Sequence, residues 1–401
     1  MDNMNANEAP NAVMHTVAPS EMDSPASGNA GVREMRANVY RFVISNPGDV
    51  GGLANAITEG TIEAAKIVAI IGKTHGNGLV NDYTRGYLTL ALSSLIAERI
   101  GSTPDAVKER IPFIFSGGVE GVLTPHFTVF TVEESDLPAV NAQPALAIGV
   151  AFSPSLGPGD IGRESQIAAT ADAVGRAMAR AKINNPAGVH FVQVKCPAFP
   201  VEALQENDAR KAPITDNPSK LMAFGRSASA LGVARALGEW PHDRLGEEAV
   251  LRDFETFSSV ASVSAGIEIS AIEVVVLGMS EHWSGKHAID HEILQDALDI
   301  AGFHNLANRL GLLQAPHMQR AEIKAGFVKC EADRRGTIRG RPHTMLNDGD
   351  IDQQRHIRCA VGAIASAVLN ETALFVSGGA EQQGPDGGGL VAVIVERPAA
   401  H

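Results

Sequence analysis

Three lysine–serine sets carry the chemistry legible in this chain. Lys73 ends the β-prone run "KIVAIIGKT", Lys195 the run "VHFVQVKCP", and Lys329 the run "AGFVKCEA". Each is followed by a signature S-[GA]-G-x-E: Ser116 in "FIFSGGVEG", Ser264 in "ASVSAGIEI" and Ser377 in "LFVSGGAEQ". The serines stand 148 and 113 residues apart. Between each lysine and its serine lies an arginine, Arg85, Arg226 or Arg358. A neutral lysine can take the proton of a serine hydroxyl and so make a nucleophile without histidine. Burial and neighbouring guanidinium groups both lower a lysine's pKa, which that role requires. The small residue after each serine, as at Gly117 and Gly378, leaves backbone N–H groups approachable, and these with the hydroxyl would grip a carbonyl oxygen.

Three such grips about a pseudo-threefold axis suit a ring with carbonyls at alternate positions. The arginines would then engage carbonyl oxygens or deprotonated ring nitrogens. The reaction implied is nucleophilic opening of a cyclic amide or imide. Spacing alone ranks none of the three pairs above the others. A non-catalytic protein could hold a small anionic ring in the same pocket, but it would not need a lysine base. A purely structural triplication would keep such residues as salt bridges and turn residues; three full sets favour a site. A nucleotide loop around "VAIIGKTHGNG" is excluded by spacing. The position five before Gly72 is Ile67, where a phosphate loop needs glycine.

The elements that must position these residues follow one plan: strand with lysine, helix opening at arginine, strand with Ser-Gly, strand. Arginine at a helix start opposes the helix dipole, so each guanidinium is expected to face an acceptor. The fold class expected is α/β, built of three similar units at 36–135, 145–283 and 286–401, after a disordered leader at 1–35. The leader is polar, contains Pro and Gly, and lacks apolar periodicity.

A net charge of −13 argues against a nucleic-acid surface, and the short apolar runs argue against a membrane span. Three cysteines without a CxxC, and no secretory signal, point to a cytoplasmic protein without disulfides.

The stretches "GKTHGNGLVNDYTRGY", "FSGGVEGVLTPH", "HFVQVKCP", "RPHTMLNDGDI" and "VSGGAEQQGPDGGG" resemble the cyanuric acid hydrolase and barbiturase family of ring-opening amidohydrolases. The resemblance runs from about residue 38 to the end. It implies a barrel of three α/β units about a pseudo-threefold axis (the toblerone fold), a homotetramer, a cyclic imide substrate and no organic cofactor. Carried over, it makes Ser264 the nucleophile and Lys195 its base. It makes Arg85, Arg226, Arg358, Lys73, Lys329, Ser116, Gly117, Ser377 and Gly378 substrate-binding. It further implies a structural Mg²⁺ or Ca²⁺ held by the Glu331 carboxylate and oxygens of Ala380, Gln383, Gly384, Pro385 and Gly388. The region "VVVLGMSEHWSGKHAIDHEILQDALD" leans toward cyanuric acid over barbituric acid. The expected product is carboxybiuret, which loses CO₂ to give biuret; a barbiturase would give ureidomalonate.

Other groups are expected to carry no chemistry. His287 and His291 read as a solvated helix start rather than a metal pair. Cys196 and Cys330, next to lysines on strands, point away from them as inert thiols. His126 reads as loop or surface.

Overall fold

The computed structural model describes residues 34–135, 143–205, 212–313 and 321–398. All but the last two positions of the expected leader lie outside these. Those two, Glu34 and Met35, already belong to a strand.

The first sheet comprises β1 (Glu34–Val43), β2 (Ile67–Thr74), β3 (Phe113–Gly117) and β4 (His126–Ser135), with helices α1 (Gly51–Thr58), α2 (Thr84–Ile100) and α3 (Pro104–Arg110) between them. Its strand order is β3-β2-β4-β1, and the two-residue strand Trp283–Ser284 joins it as a fifth, parallel to β1. The next stretch gives β5 (Ala145–Ser155), α4 (Glu164–Arg180), β6 (Val189–Pro197), α5 (Pro218–Leu237), β7 (Ala261–Gly266) and β8 (Ala271–Ser280), with order β5-β8-β6-β7. The last gives β9 (His287–Leu294), α6 (Ile300–Arg309), β10 (Glu322–Cys330), α7 (Gln353–Leu369), β11 (Phe375–Ser377) and β12 (Gly389–Glu396), with order β9-β12-β10-β11. The order first-fourth-second-third thus recurs three times. In every sheet the second strand runs parallel to the third and antiparallel to the fourth. Among the described residues the sheets are open, with no closed barrel.

Strand side chains alternate between two faces, and both faces are covered. On β2, Ile70 packs with Leu88, Leu92 and Ile96 of α2, whereas Ile71 turns inward. On β10, Val328 and Cys330 meet Ile357 and Val361 of α7, whereas Phe327 turns inward. The inward sides join in one apolar cluster that includes Ile71, Phe191, Phe327 and Phe375. Phe191 of the second sheet stacks on Phe327 of the third at 4.5 Å. Full coverage of both faces explains continuous apolar runs such as Val274–Leu277, all buried. Lys73 shares the inner face with Ile71, and Lys329 shares it with Phe327.

Two of the three arginines do not open their helices. Arg85 is the second residue of α2, but α5 starts at Pro218 and α7 at Gln353, upstream of Arg226 and Arg358. Asn217 caps α5 by accepting from Lys220 N at 3.1 Å, with proline at the first helical position, and Asp352 accepts from Gln354 N at 2.9 Å. These capping signals fix the true starts. The dipole argument therefore applies to Arg85 alone.

His287 and His291 lie on strand β9 rather than at a helix start. In that setting a spacing of four still places both on one face.

Candidate active site

Strand register places each lysine opposite its serine. Lys73 pairs with Ser116, Lys195 with Ser264, and Lys329 with Ser377, each across a parallel ladder. All three lysines are fully buried, and the serines nearly so. Lys73 Nζ donates to Ser116 Oγ at 3.1 Å and to Gly117 O at 2.9 Å. Lys329 Nζ donates to Ser377 Oγ at 3.2 Å and to Gly378 O at 2.8 Å. Ser116 Oγ and Ser377 Oγ are themselves 3.5 Å apart, so these two sets converge. The third set joins through the backbone: Lys195 Nζ donates to Phe115 O, and Lys329 Nζ to Val263 O at 2.7 Å. Each of these lysines reaches the carbonyl just before another sheet's serine.

The arginines cross between sheets in the same cyclic sense. Arg358 grips Glu120 with Nε to Oε2 at 2.7 Å and Nη2 to Oε1 at 2.6 Å. Arg226 grips Glu381 at 2.8 and 2.5 Å through the same atoms. Arg85 lies 3.6 Å from Glu268. The three glutamates are the final residue of the S-[GA]-G-x-E signature. Sequence reasoning found that residue three times and gave it no role; its recurrence was the available signal. The second glycine of the signature has a steric reason in two sheets. Gly118 (φ +95°) and Gly379 (φ +65°) take left-handed backbone, and a Cβ there would meet the guanidinium of Arg358 at 2.6 Å and of Arg226 at 2.7 Å.

The second sheet breaks the pattern. Among the described residues Ser264 Oγ, although buried, has no hydrogen-bond partner. Lys195 Nζ instead sits 2.6 Å from Glu268 Oε1. Arg85, released from a bidentate grip, donates to Ala265 O at 2.7 Å and Leu79 O at 2.9 Å. The residue opposite the lysine across the antiparallel ladder also differs: His126 faces Lys73 and Leu390 faces Lys329, but Glu273 faces Lys195. Glu273 accepts from Phe113 N at 3.1 Å. With Glu268 it lines a cavity of about 520 Å³ whose rim carries Asp105, Lys108 and Glu109. His126, expected on a loop or the surface, is therefore buried at the start of β4, its Nδ1 2.7 Å from Thr124 O.

Burial is the main force on these ionisations. Desolvation, reinforced by Arg358, holds Lys73 far below the usual lysine range. Desolvation and Arg226 bring Lys329 down to about 7. Lys195 is lowered by desolvation but partly restored by the Glu268 carboxylate. Cys196, pushed up to about 11 by burial, and Cys330, pushed up further still, are poor thiolates.

Glu273 is pushed up to about 8 by desolvation, against the opposing pull of Lys195. Between pH about 4.5 and 8 the folded chain therefore keeps a proton that the unfolded chain has released, and stability falls as pH rises through that window. Glu273→Gln is expected to flatten this decline. Melting temperatures at pH 5, 6, 7, 8 and 9 for both proteins check it; parallel curves would show that Glu273 is not the group responsible.

The loop after Ser377 has the makings of a cation site. Glu331, half-buried and one residue past the end of β10, accepts at Oε2 from Ala380 N at 3.0 Å, and its own N donates to Gly388 O at 3.2 Å. Beside it Asp386 Oδ1 is buried without a hydrogen-bond partner among the described residues. Burial and the charges of Glu381 and Asp386 push the Glu331 carboxyl up to about 8. The Gln383 side chain is committed elsewhere, its Oε1 accepting from Val263 N at 2.6 Å, so a ligand from Gln383 would be its backbone oxygen. An orphaned buried carboxylate oxygen beside backbone carbonyls fits a hard cation.

Comparison with known proteins gives these sets a context. The model of the amidohydrolase ring-opening protein family matches residues 38–396. A cyanuric acid amidohydrolase of Bradyrhizobium diazoefficiens is 45% identical, covering 90% of this chain and 99% of that protein. A cyclic amide hydrolase of Azorhizobium caulinodans is 42% identical, covering 90% and 100%. The solved structure of the cyanuric acid hydrolase from A. caulinodans matches with a TM-score of 0.82 at 43% identity, over 91% of this chain and 100% of that one. A second solved cyanuric acid hydrolase matches at 0.85 and 42%, over 90% and 100%. With one family model spanning nearly all the described residues and relatives matched end to end, this chain belongs to the ring-opening amidohydrolases.

Proposed function

We propose that the chain is a cyanuric acid amidohydrolase in which Ser264 attacks and Lys195 serves as base. The observation that carries the assignment of roles is the broken symmetry. Ser116 and Ser377 are tied to their lysines, whereas Ser264 Oγ is unpartnered beside Lys195. Neutral Lys195 takes the Ser264 proton as Oγ bonds to a ring carbonyl carbon. The tetrahedral intermediate collapses with cleavage of the ring C–N bond, and the lysine ammonium returns its proton to the leaving nitrogen. Water then hydrolyses the acyl-enzyme to carboxybiuret, which loses CO₂ to give biuret. Glu268, 2.6 Å from Lys195 and 3.6 Å from Arg85, can pass to the arginine when the lysine must be neutral.

Ser116, Ser377, Lys73 and Lys329, with Gly117 and Gly378, hold the other two carbonyls. Each bidentate Arg–Glu grip uses two of a guanidinium's five N–H donors, leaving Arg226 and Arg358 able to meet the ring. The three like-ordered sheets and the cyclic arginine crossings support three units at 36–135, 145–283 and 286–401 about a pseudo-threefold axis. For the homotetramer, exposed Tyr83, just before α2, with Tyr87 and Leu90 on it, offers an apolar face. Among the described residues no helix is long and apolar enough to cross a membrane.

Ultraviolet loss of cyanuric acid, and in a separate reaction of barbituric acid, tests the function. Consumption of cyanuric acid is expected. Consumption of barbituric acid alone would move the substrate to the barbiturase side, and loss of neither would sink the hydrolase.

At the 377–389 loop, Glu331 and backbone oxygens of Ala380, Gln383, Gly384, Pro385 and Gly388 would hold Mg²⁺ or Ca²⁺. Its contribution is charge neutralisation that fixes the loop bearing Glu381. Chelation is expected to lower the melting temperature of the wild type, with Mg²⁺ or Ca²⁺ restoring it, and to leave Glu331→Gln unmoved. An equal response in both proteins would remove the ion from this loop.

A further inference from the structure

Away from these sets, His190 of β6 and Asp290 and His291 of β9 bring three ligand atoms together where the second and third sheets meet. His190 Nδ1 lies 3.1 Å from His291 Nδ1 and 3.3 Å from Asp290 Oδ1. A tetrahedral zinc ion with bonds of about 2.0–2.1 Å spaces its ligand atoms about 3.3 Å apart. The imidazoles meet edge-on, with ring centroids 5.2 Å apart and planes at 68°, and their Nδ1 atoms face each other at 3.1 Å. We propose that His190, Asp290 and His291 form a site for a divalent transition-metal ion such as Zn²⁺, distinct from the glycine-rich loop.

The surroundings suit an ion. Asp290 Oδ2 accepts from Arg309 Nε at 2.7 Å, and its Oδ1 accepts from His291 N at 2.7 Å, so the carboxylate is held in place with a lone pair of Oδ1 left over. Arg309 is also balanced by Glu292, Nη1 to Oε2 at 2.7 Å, so the guanidinium charge is matched before the ion enters. The three residues are half-buried. His190 and Asp290 open onto a cavity of about 490 Å³ that is also lined by Met279, Arg309 and Arg397. That cavity leaves room for water as the fourth ligand. His287, the other histidine of "HAIDH", takes no part, because its Nδ1 lies 3.0 Å from Ala37 O. An ion here would staple β6 to β9, two strands from different sheets.

Chelator-treated full-length protein is incubated with Zn²⁺ alone, desalted and assayed for metal, and separately titrated with Co²⁺. The expected results are one zinc retained per chain and visible ligand-field bands of a four-coordinate cobalt ion. The melting temperature should rise by a few degrees at saturating zinc. His190→Ala and His291→Ala are each expected to lose the bound zinc and the cobalt bands. The bulk-preserving His190→Asn, melting as the wild type does without metal, separates lost ligation from lost folding. Ring-opening activity should survive in all three. Absence of retained zinc in the wild type, or retention in His190→Ala and His190→Asn equal to that of the wild type, would overturn the site and leave a plain contact between two imidazoles.

Discussion

Ser264→Ala is expected to lower kcat on cyanuric acid by on the order of 10⁴-fold or more, whereas Ser116→Ala and Ser377→Ala raise KM about 10–100-fold and spare most of kcat. The asymmetry follows from the hydrogen bonds. A hydroxyl accepting from a lysine, as at Ser116 and Ser377, is occupied as a positioning group, and its loss removes binding felt alike in ground and transition states. Ser264 Oγ is held back by no partner among the described residues, and its removal leaves no bond-forming atom. Lys195→Ala is expected to fall nearly as far, and the double variant hardly further, because base and nucleophile act as one unit. Steady-state kinetics on the set decides the matter. If Ser116→Ala or Ser377→Ala loses kcat as deeply as Ser264→Ala, the assignment of the nucleophile to the second sheet is wrong.

Glu381→Gln is expected to destabilise the fold by about 3–5 kcal/mol, because it leaves the Arg226 guanidinium buried without its counter-charge. Both partners are almost shielded from water, and two parallel hydrogen bonds join them. Glu120→Gln should act similarly through Arg358, which is buried just as deeply. Glu268→Gln should cost less, since Arg85 already donates to Ala265 O, Leu79 O and Asp82 O, and Lys195, its pKa lowered by burial, can shed its proton when the carboxylate 2.6 Å away is lost. Urea unfolding of the three variants gives the ranking. The double change Glu381→Gln with Arg226→Met is expected to recover much of the loss, as removing both charges avoids the unpaired one. Equal, small losses at all three glutamates would show that these pairs are solvated in solution and hold nothing together.

Much of this was legible because hydrophobic patterning and punctuation agree locally. Buried strands such as Ile67–Thr74 and Ala271–Ser280 announce themselves as β-branched runs ended by a polar or glycine residue. The pairing of each lysine with the serine of its own repeat was readable from recurrence, and the strand register supplies its physical form. Helix starts were misplaced where a repeat marker, Arg226 or Arg358, drew more notice than the ordinary caps upstream, Asn217-Pro218 and Asp352.

What could not be read was anything passing from one repeat to another. Intervals along the chain do not say whether Arg358 meets the glutamate of its own signature or that of the first. Glu273, His126 and Leu390 become comparable only once antiparallel register sets each opposite a lysine. His190 and His291, 101 residues apart, share no motif and meet only through the packing of two sheets.

The cyclic crossing of arginines has a consequence for how such a site can change. In a ring of three identical separate chains, every substitution would appear three times, and the grips could only improve or fail together. With all three copies in one polypeptide, Ala265 and Glu273 can arise once, loosening one serine while its counterparts stay fastened. Covalent linkage thereby makes division of labour heritable: on the proposed roles, two grips would keep the ligand's pose and the third would be free to become a reagent.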